Sequence, residues 1–145
     1  MMVSTRGRYA LRMLVDLAEH QGDGFVPLKD IAKRQVISKK YLEQIIPVLN
    51  TAGLLQTVRG AQGGYRLSKP ADKYTVSEIL KATEGNLAPV SCLEYDNNTC
   101  SRVNECETLF VWEGLKKIVN DYLGGITVQD IIDRKKAIDG DDYVI

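Results

Sequence analysis

The stretch from Ser38 to Ser68 does most to restrict what this chain can fold into. Ser38 offers an N-cap hydroxyl. Tyr41, Leu42, Ile45, Ile46 and Leu49 then recur on one helical face, and Gly53 supplies a left-handed stop. The opposite face displays Lys39, Lys40, Glu43, Gln44 and Asn50. Pro47 interrupts the pattern and is expected to bend or shorten the helix, since it has no N–H to reach back to Glu43. The grammar then changes. Leu54 to Arg59 and Tyr65 to Ser68 read as two short strands, separated by Gly60-Ala61-Gln62-Gly63-Gly64, a tip whose glycines permit positive φ.

Upstream, Tyr9 and Ala10, Met13 and Leu14, and Leu17 and Ala18 draw a stripe along a first helix that starts at Ser4 or Thr5 and ends near His20. A shorter helix follows Pro27, with Leu28, Ile31 and Ala32 inward and Lys29, Lys33 and Arg34 outward, and Gln35-Val36-Ile37 turns the chain. Helix, short helix, turn, polar-faced helix and glycine-tipped hairpin, in that order, make a winged helix-turn-helix: a mainly α fold with a small β-hairpin. Thr75-Val76-Ser77-Glu78 has the capping-box pattern and starts a fourth helix that buries Val76, Ile79, Leu80 and Ala82 before Gly85.

Periodicity is lost from Asn86 to Glu105 and returns near Glu107, where Leu109, Trp112, Leu115, Ile118, Val119 and Tyr122 form a stripe ended by Gly124-Gly125. This helix is too apolar on one side to stand free. Packing against the first helix or against a second copy of the chain would cover it. A last short helix is expected from Thr127, followed by a loose acidic tail. The organisation read from the chain is thus a DNA-binding domain over residues 1–84, a cysteine loop over 85–106, a long C-terminal dimerisation helix with the short final helix over 107–133, and a flexible tail over 134–145.

Charge supports this division. The 145 residues carry nineteen Lys and Arg against nineteen Asp and Glu, and such neutrality alone argues against a nucleic-acid partner. Residues 1–70, however, hold eleven basic and five acidic side chains, and residues 71–145 hold eight and fourteen. The basic half is the half with the helix and hairpin, which places a duplex-binding face there. A helix of about ten to fifteen residues fits a major groove. On it, Lys39 and Lys40 can reach phosphates or guanine edges, Glu43 can accept from cytosine and Gln44 can pair with adenine, while Arg59 at the hairpin tip suits a minor groove. Ser38, Tyr41, Gly60 and Gly63 complete the DNA-binding set. The plainer alternative is a solvated charged surface; the asymmetric charge and the position of the hairpin favour double-stranded DNA. One copy would read too few base pairs for useful specificity, so a homodimer is expected. No run approaches the roughly 18 apolar residues of a membrane span, and a cytoplasmic protein without a membrane partner is expected.

Cys92, Cys100 and Cys106 have seven and five residues between them, neither being the two-residue interval of zinc knuckles. Three thiols on one loop suit an iron-sulfur cluster, which takes four ligands and accepts substitutes for cysteine; free thiols remain the alternative. His20 is the only histidine and is far from the cysteines in sequence. The glycines at 60–64 lack the following helix that a phosphate-binding loop requires, and the reading is not that of an enzyme.

Ser4-Thr5-Arg6-Gly7-Arg8-Tyr9-Ala10, Tyr41-Leu42-Glu43-Gln44, the wing Val58 to Tyr65 and the three cysteines together resemble the iron-sulfur-cluster regulators of the Rrf-type winged-helix family, over about Met1 to Ile132. The resemblance implies a homodimeric transcription factor that holds a 2Fe-2S cluster through Cys92, Cys100 and Cys106, contacts DNA through Glu43, Gln44 and Arg59, and controls cluster-assembly genes. The chain departs from the pattern where the family's ligating histidine would fall, at Leu109, and where nitric-oxide-sensing relatives recruit a carboxylate, near Arg8. The fourth ligand is left unassigned among Glu105, Glu107, Asp96, His20 and a small thiol. Two rival readings remain: a nitric-oxide or redox-sensing repressor of the same fold, and an iron-sulfur scaffold or electron carrier.

Overall fold

The structure, a computed structural model, describes residues 3–142. Helix α1 (Thr5–His20) begins where the Ser4 hydroxyl accepts a hydrogen bond from the Gly7 N–H at 3.1 Å. Its stripe of Ala10, Met13, Leu14 and Leu17 is fully buried, and α1 is the central post of the molecule, touching α2, α3, α4, α6 and β2. Helix α2 (Leu28–Gln35) follows Pro27, which sits just outside it as an extended N-cap. The turn into α3 (Lys39–Thr51) passes through Val36 in the left-handed region, at φ 54°. Ser38 caps α3 by accepting from the Tyr41 N–H at 3.0 Å.

Pro47 does not shorten α3, contrary to the expectation from its missing N–H: the helix runs unbroken to Thr51. Ile46 and Leu49, buried on either side of the proline, hold the final turns against the core, and Pro47 itself is exposed, so its ring meets solvent.

Strands β1 (Leu55–Val58) and β2 (Gly64–Leu67) pair antiparallel, Leu55 opposite Leu67 and Val58 opposite Gly64. A lone two-stranded hairpin is marginal in water. Here its base is fastened, because Leu55 and Leu67 join the helical core and Tyr65 bridges to Val26. Gly64 is required at that bridge, since a Cβ would collide with the Val26 carbonyl. Tyr74 is wholly buried with its hydroxyl satisfied, donating to the Leu54 carbonyl at 2.6 Å and accepting from the Ser68 N–H at 2.8 Å.

Helix α4 (Val76–Glu84) shows half of the expected capping box. The Thr75 hydroxyl accepts from the Glu78 N–H, but the Glu78 carboxylate pairs with Lys69 at 2.7 Å instead of reaching back. After a short 3₁₀ turn at Ser91–Leu93 come α5 (Leu109–Gly124) and α6 (Val128–Asp142). Two expectations fail here. The final helix is not short: it spans 15 residues, Val128 and Ile132 enter the main core, the Val128 N–H bonds the Tyr74 carbonyl at 2.9 Å, and Lys135 pairs with Glu19 of α1 at 3.1 Å. The expected loose tail is helical to Asp142, continuing a helix already anchored at its start; the last three residues lie outside the described ones. Helix α5 shares an apolar cluster with Leu11 of α1. It leans on α4, where Val119 and Leu123 meet the cluster of Val76, Leu80 and Leu87, and on the 3₁₀ turn. No residue of α5 is buried, and Phe110, Ile118 and Tyr122 are 74%, 66% and 66% exposed. No described helix is long and apolar enough to cross a membrane.

Candidate nucleic-acid interface

Because α3 ends just before β1, the hairpin folds back beside the polar face of α3 and the two frame a cleft of about 630 Å³. Lys39, Glu43 and Asn50 line it from α3, Arg59, Gly60 and Gly63 line it from the wing tip, and Thr57 lines it from β1. The tip owes its shape to its glycines. Gly60 has φ +112°, the Gly63 N–H returns to the Gly60 carbonyl at 3.0 Å, and a Cβ on Gly63 would collide with the Val58 carbonyl. Lys29, at the start of α2, also lines the cleft. Three cations, Lys29, Lys39 and Arg59, thus share with one carboxylate, Glu43, a concavity open to solvent.

Of the DNA-binding residues expected from sequence, Lys39, Glu43, Arg59, Gly60 and Gly63 come together here. Ser38 and Lys40 are exposed at the start of α3 but do not line the cleft, and the Ser38 hydroxyl is engaged in capping. Tyr41 and Gln44 lie on the opposite flank of α3, facing Thr5 and Arg6 of α1. Sequence reasoning placed Asn50 and Lys29 on outward faces without a role and passed over Thr57. The Thr57 hydroxyl donates to Asn50 Oδ1 at 3.3 Å, joining wing to helix. Periodicity within each element marks these residues as outward-facing; only tertiary packing brings them to one cleft.

The helix-turn-helix is locked from behind by Asp16, a 1% exposed carboxylate on α1. Arg34 Nε and Nη2 donate to its two oxygens at 2.9 and 2.7 Å, and Gln35 Nε2 adds a third bond at 3.0 Å. Burial pushes the Asp16 carboxyl up, but the hydrogen bonds from Arg34 and Gln35 and the Arg34 charge together outweigh it and hold the pKa below the ordinary carboxylate value. The same hydrogen bond holds Arg34 above its own. Arg12 Nε donates to Gln35 Oε1 at 3.1 Å and its guanidinium stacks on Tyr9, whose ring meets Tyr41 edge-on at 5.5 Å. A continuous polar and aromatic chain therefore links α1 to both ends of the turn.

The cysteines are arranged otherwise. Cys92 is half-buried in the 3₁₀ turn; Cys100 and Cys106 are exposed. Asn98 Oδ1 accepts from the Cys100 N–H at 2.9 Å. The Thr108 hydroxyl, 3.7 Å from Cys106 Sγ, lowers the pKa of that thiol, helped by the backbone N–H groups of Thr108 and Leu109 and by Arg102. The loop is tied to α5 where Lys116 Nζ donates to the Leu93 carbonyl at 2.8 Å. Among the described residues no three His, Cys, Asp or Glu side chains converge as a metal site. The three thiols suit an iron-sulfur cluster in donor chemistry, but they are not gathered, and Leu109 supplies no ligand.

The model of the Rrf2 family, described as "Iron-dependent Transcriptional regulator", matches residues 3–134. This chain belongs to the Rrf2 family. It is 41% identical over 132 residues to the protein rrf2 of Nitratidesulfovibrio vulgaris, covering 91% of this chain and 87% of that relative. Among solved structures, CymR of B. subtilis, the global cysteine regulator, matches with a TM-score of 0.74 at 34% identity, over 92% of this chain and 98% of CymR. T. potens IscR matches with a TM-score of 0.71 at 38% identity, over 93% and 88%. Rrf2 proteins are DNA-binding transcriptional regulators, and the winged-helix architecture found here is the one these neighbours share.

Proposed function

We propose that this Rrf2 protein acts as a homodimer on a double-stranded DNA operator, with α3 in the major groove and the wing on the adjacent backbone or minor groove. The cleft between α3 and the wing carries the reading: three cations, one acceptor-only carboxylate and a glycine tip able to approach a backbone closely, all beside an exposed helix. Lys39, Lys40 and Arg59 provide charge, Glu43 and Gln44 provide base discrimination, and Ser38, Tyr41, Gly60 and Gly63 shape or edge the surface. The uncovered face of α5 suits a second copy of the chain, whose symmetry would set the half-site spacing. Binding of a labelled duplex, selected by the protein from a randomised pool, tests this. Arg59→Ala is expected to weaken binding, and unchanged affinity for every duplex excludes the wing role.

The cysteine loop is the sensor in this reading, with Cys92, Cys100 and Cys106 holding a 2Fe-2S cluster as in an IscR-like regulator of cluster-assembly genes. Cys92, Cys100 and Cys106 would hold the cluster, which would supply a covalent tie between three points of the loop. The loop is fastened to α5 through Lys116 and abuts the face assigned to dimerisation, so ordering it alters how the two reading heads are spaced. Anaerobic purification with iron and sulfide analysis, repeated after each Cys→Ala change, tests it. Stoichiometric iron lost in each variant supports it, and iron-free protein overturns it. The exposed Cys106 thiol, shifted toward thiolate, favours a second reading in which the loop senses oxidants or nitric oxide. Iron-free protein whose duplex affinity changes on mild oxidation selects that reading.

A further inference from the structure

The recognition helix has two flanks, and the wing occupies one. On the other, Thr5 and Arg6 of α1 face Tyr41 and Gln44 of α3 across a cleft of about 420 Å³ with Ile45 at its floor. The start of α1 is fixed there by a local device. The Ser4 N–H and hydroxyl both donate to Glu84 Oε1, at 3.2 and 2.5 Å, while the hydroxyl oxygen also caps α1. Gly7 is buried against the same carboxylate, and a Cβ would collide with it. α1 therefore begins pressed onto α4, and Thr5 and Arg6 hold a set position beside α3.

Three side chains on this cleft, Thr5, Arg6 and Tyr41, offer donors that have no acceptor, beside the Gln44 amide, which offers a donor and an acceptor alike. Arg6 is exposed and its guanidinium makes no ion pair or hydrogen bond among the described residues, and the Tyr41 hydroxyl makes no hydrogen bond among them either. The Tyr41 ring is seated by its edge-on contact with Tyr9, which aims rather than frees it. Thr5 Oγ1 accepts from Arg8 Nη2 at 3.2 Å, leaving its own O–H to donate. The nearby acid, Glu84, keeps its charge but is turned to Ser4, whose N–H and hydroxyl both donate to its Oε1. Donors without acceptors suit an oxyanion carrying no hydrogen.

We propose that Thr5, Arg6 and Tyr41 grip a phosphate of the duplex backbone on the rim of the major groove opposite the wing. The proposal rests on the DNA-binding reading above. A helix about 10–12 Å across nearly fills a groove about 12 Å wide, so both of its flanks meet sugar-phosphate walls. The wing serves one wall, and this cleft serves the other. Such a contact fixes register and tilt and carries no base preference.

The test uses the full chain and a labelled duplex selected by the wild type, with Kd measured between 50 and 200 mM KCl. Arg6→Ala is expected to weaken binding about tenfold, equally for the selected duplex and for a scrambled one, and to lower the slope of log K against log salt by about one. Arg6→Lys should recover most of that loss, and Tyr41→Phe should weaken binding several-fold with an unchanged melting temperature. Unchanged Kd and slope in Arg6→Ala, while Arg59→Ala loses affinity, overturns the grip and leaves the DNA reading intact. A loss confined to the selected duplex also overturns it, since that is base readout. If the wild type binds no duplex at any salt, both the reading and the grip fail together.

Discussion

Replacing Asp16 by alanine probes what holds the reading head in place. The change removes the acceptor for three hydrogen bonds from Arg34 and Gln35 at the end of α2. Breaking a buried ion pair by deleting one partner costs roughly 3–5 kcal/mol, and one hydrogen bond to a charged group is worth about 1.5–3 kcal/mol. The Arg34 side chain is 33% exposed, so its freed guanidinium can turn to water, which brings the expected loss to the lower end, about 3 kcal/mol. That is a large fraction of the roughly 5–15 kcal/mol that holds a domain folded. Urea unfolding followed by circular dichroism should show the midpoint falling at constant m-value. The double change Asp16→Ala with Arg34→Ala should cost less than the sum of the single changes, by about 1.5 kcal/mol or more. The acid response follows from the lowered pKa of Asp16. Its contribution is present above the unfolded carboxylate value near about 3.9 and is lost as pH falls through the lower folded value. The gap between wild type and Asp16→Asn should therefore hold near neutrality and narrow below about pH 4. A loss under about 0.5 kcal/mol at pH 7, or additive single changes, would refute the latch.

Val36 is 90% exposed in a left-handed conformation that costs a β-branched residue roughly 1–2 kcal/mol, so Val36→Gly should raise stability by up to about 1 kcal/mol after glycine's entropy. A lower melting temperature would contradict this. Gly63→Ala forces the wing tip to rearrange around the Val58 carbonyl; duplex binding should weaken by about tenfold while the melting temperature holds, and intact binding would show that the tip shape is dispensable. Ile118→Glu places a carboxylate on the uncovered face of α5; on the proposed dimer reading light scattering should report a dimer for the wild type and monomers for the variant, and a monomeric wild type would refute that reading.

The parts of this molecule that could be read from sequence are those whose causes lie within a few residues. Ser4, Ser38 and Thr75 cap helices by bonding three residues ahead, and the wing announces itself through glycines that no other residue replaces at those backbone positions. The parts that escaped depend on distant partners. Asp16 stands in the apolar stripe of α1 between Leu14 and Leu17, an anomaly visible in the sequence, yet its meaning needs Arg34 and Gln35 at its side. Helix α6 offers few apolar residues, and only the bond from Val128 to Tyr74 and the burial of Ile132 place it in the main core.

The cysteine loop differs in kind from both. Spacing names donors, but between Leu87 and Leu109 the backbone has one short 3₁₀ turn, and few hydrogen bonds dictate where each thiol points. A ligand that bridged them would add cross-links between those local turns, so its binding free energy and the gathering of the thiols would become one quantity. A loop held by its own packing would report nothing when the ligand left. On the proposed reading, a ligand bridging the thiols of a loop tied to α5 through Lys116 would convert its occupancy into a change at the uncovered face of that helix.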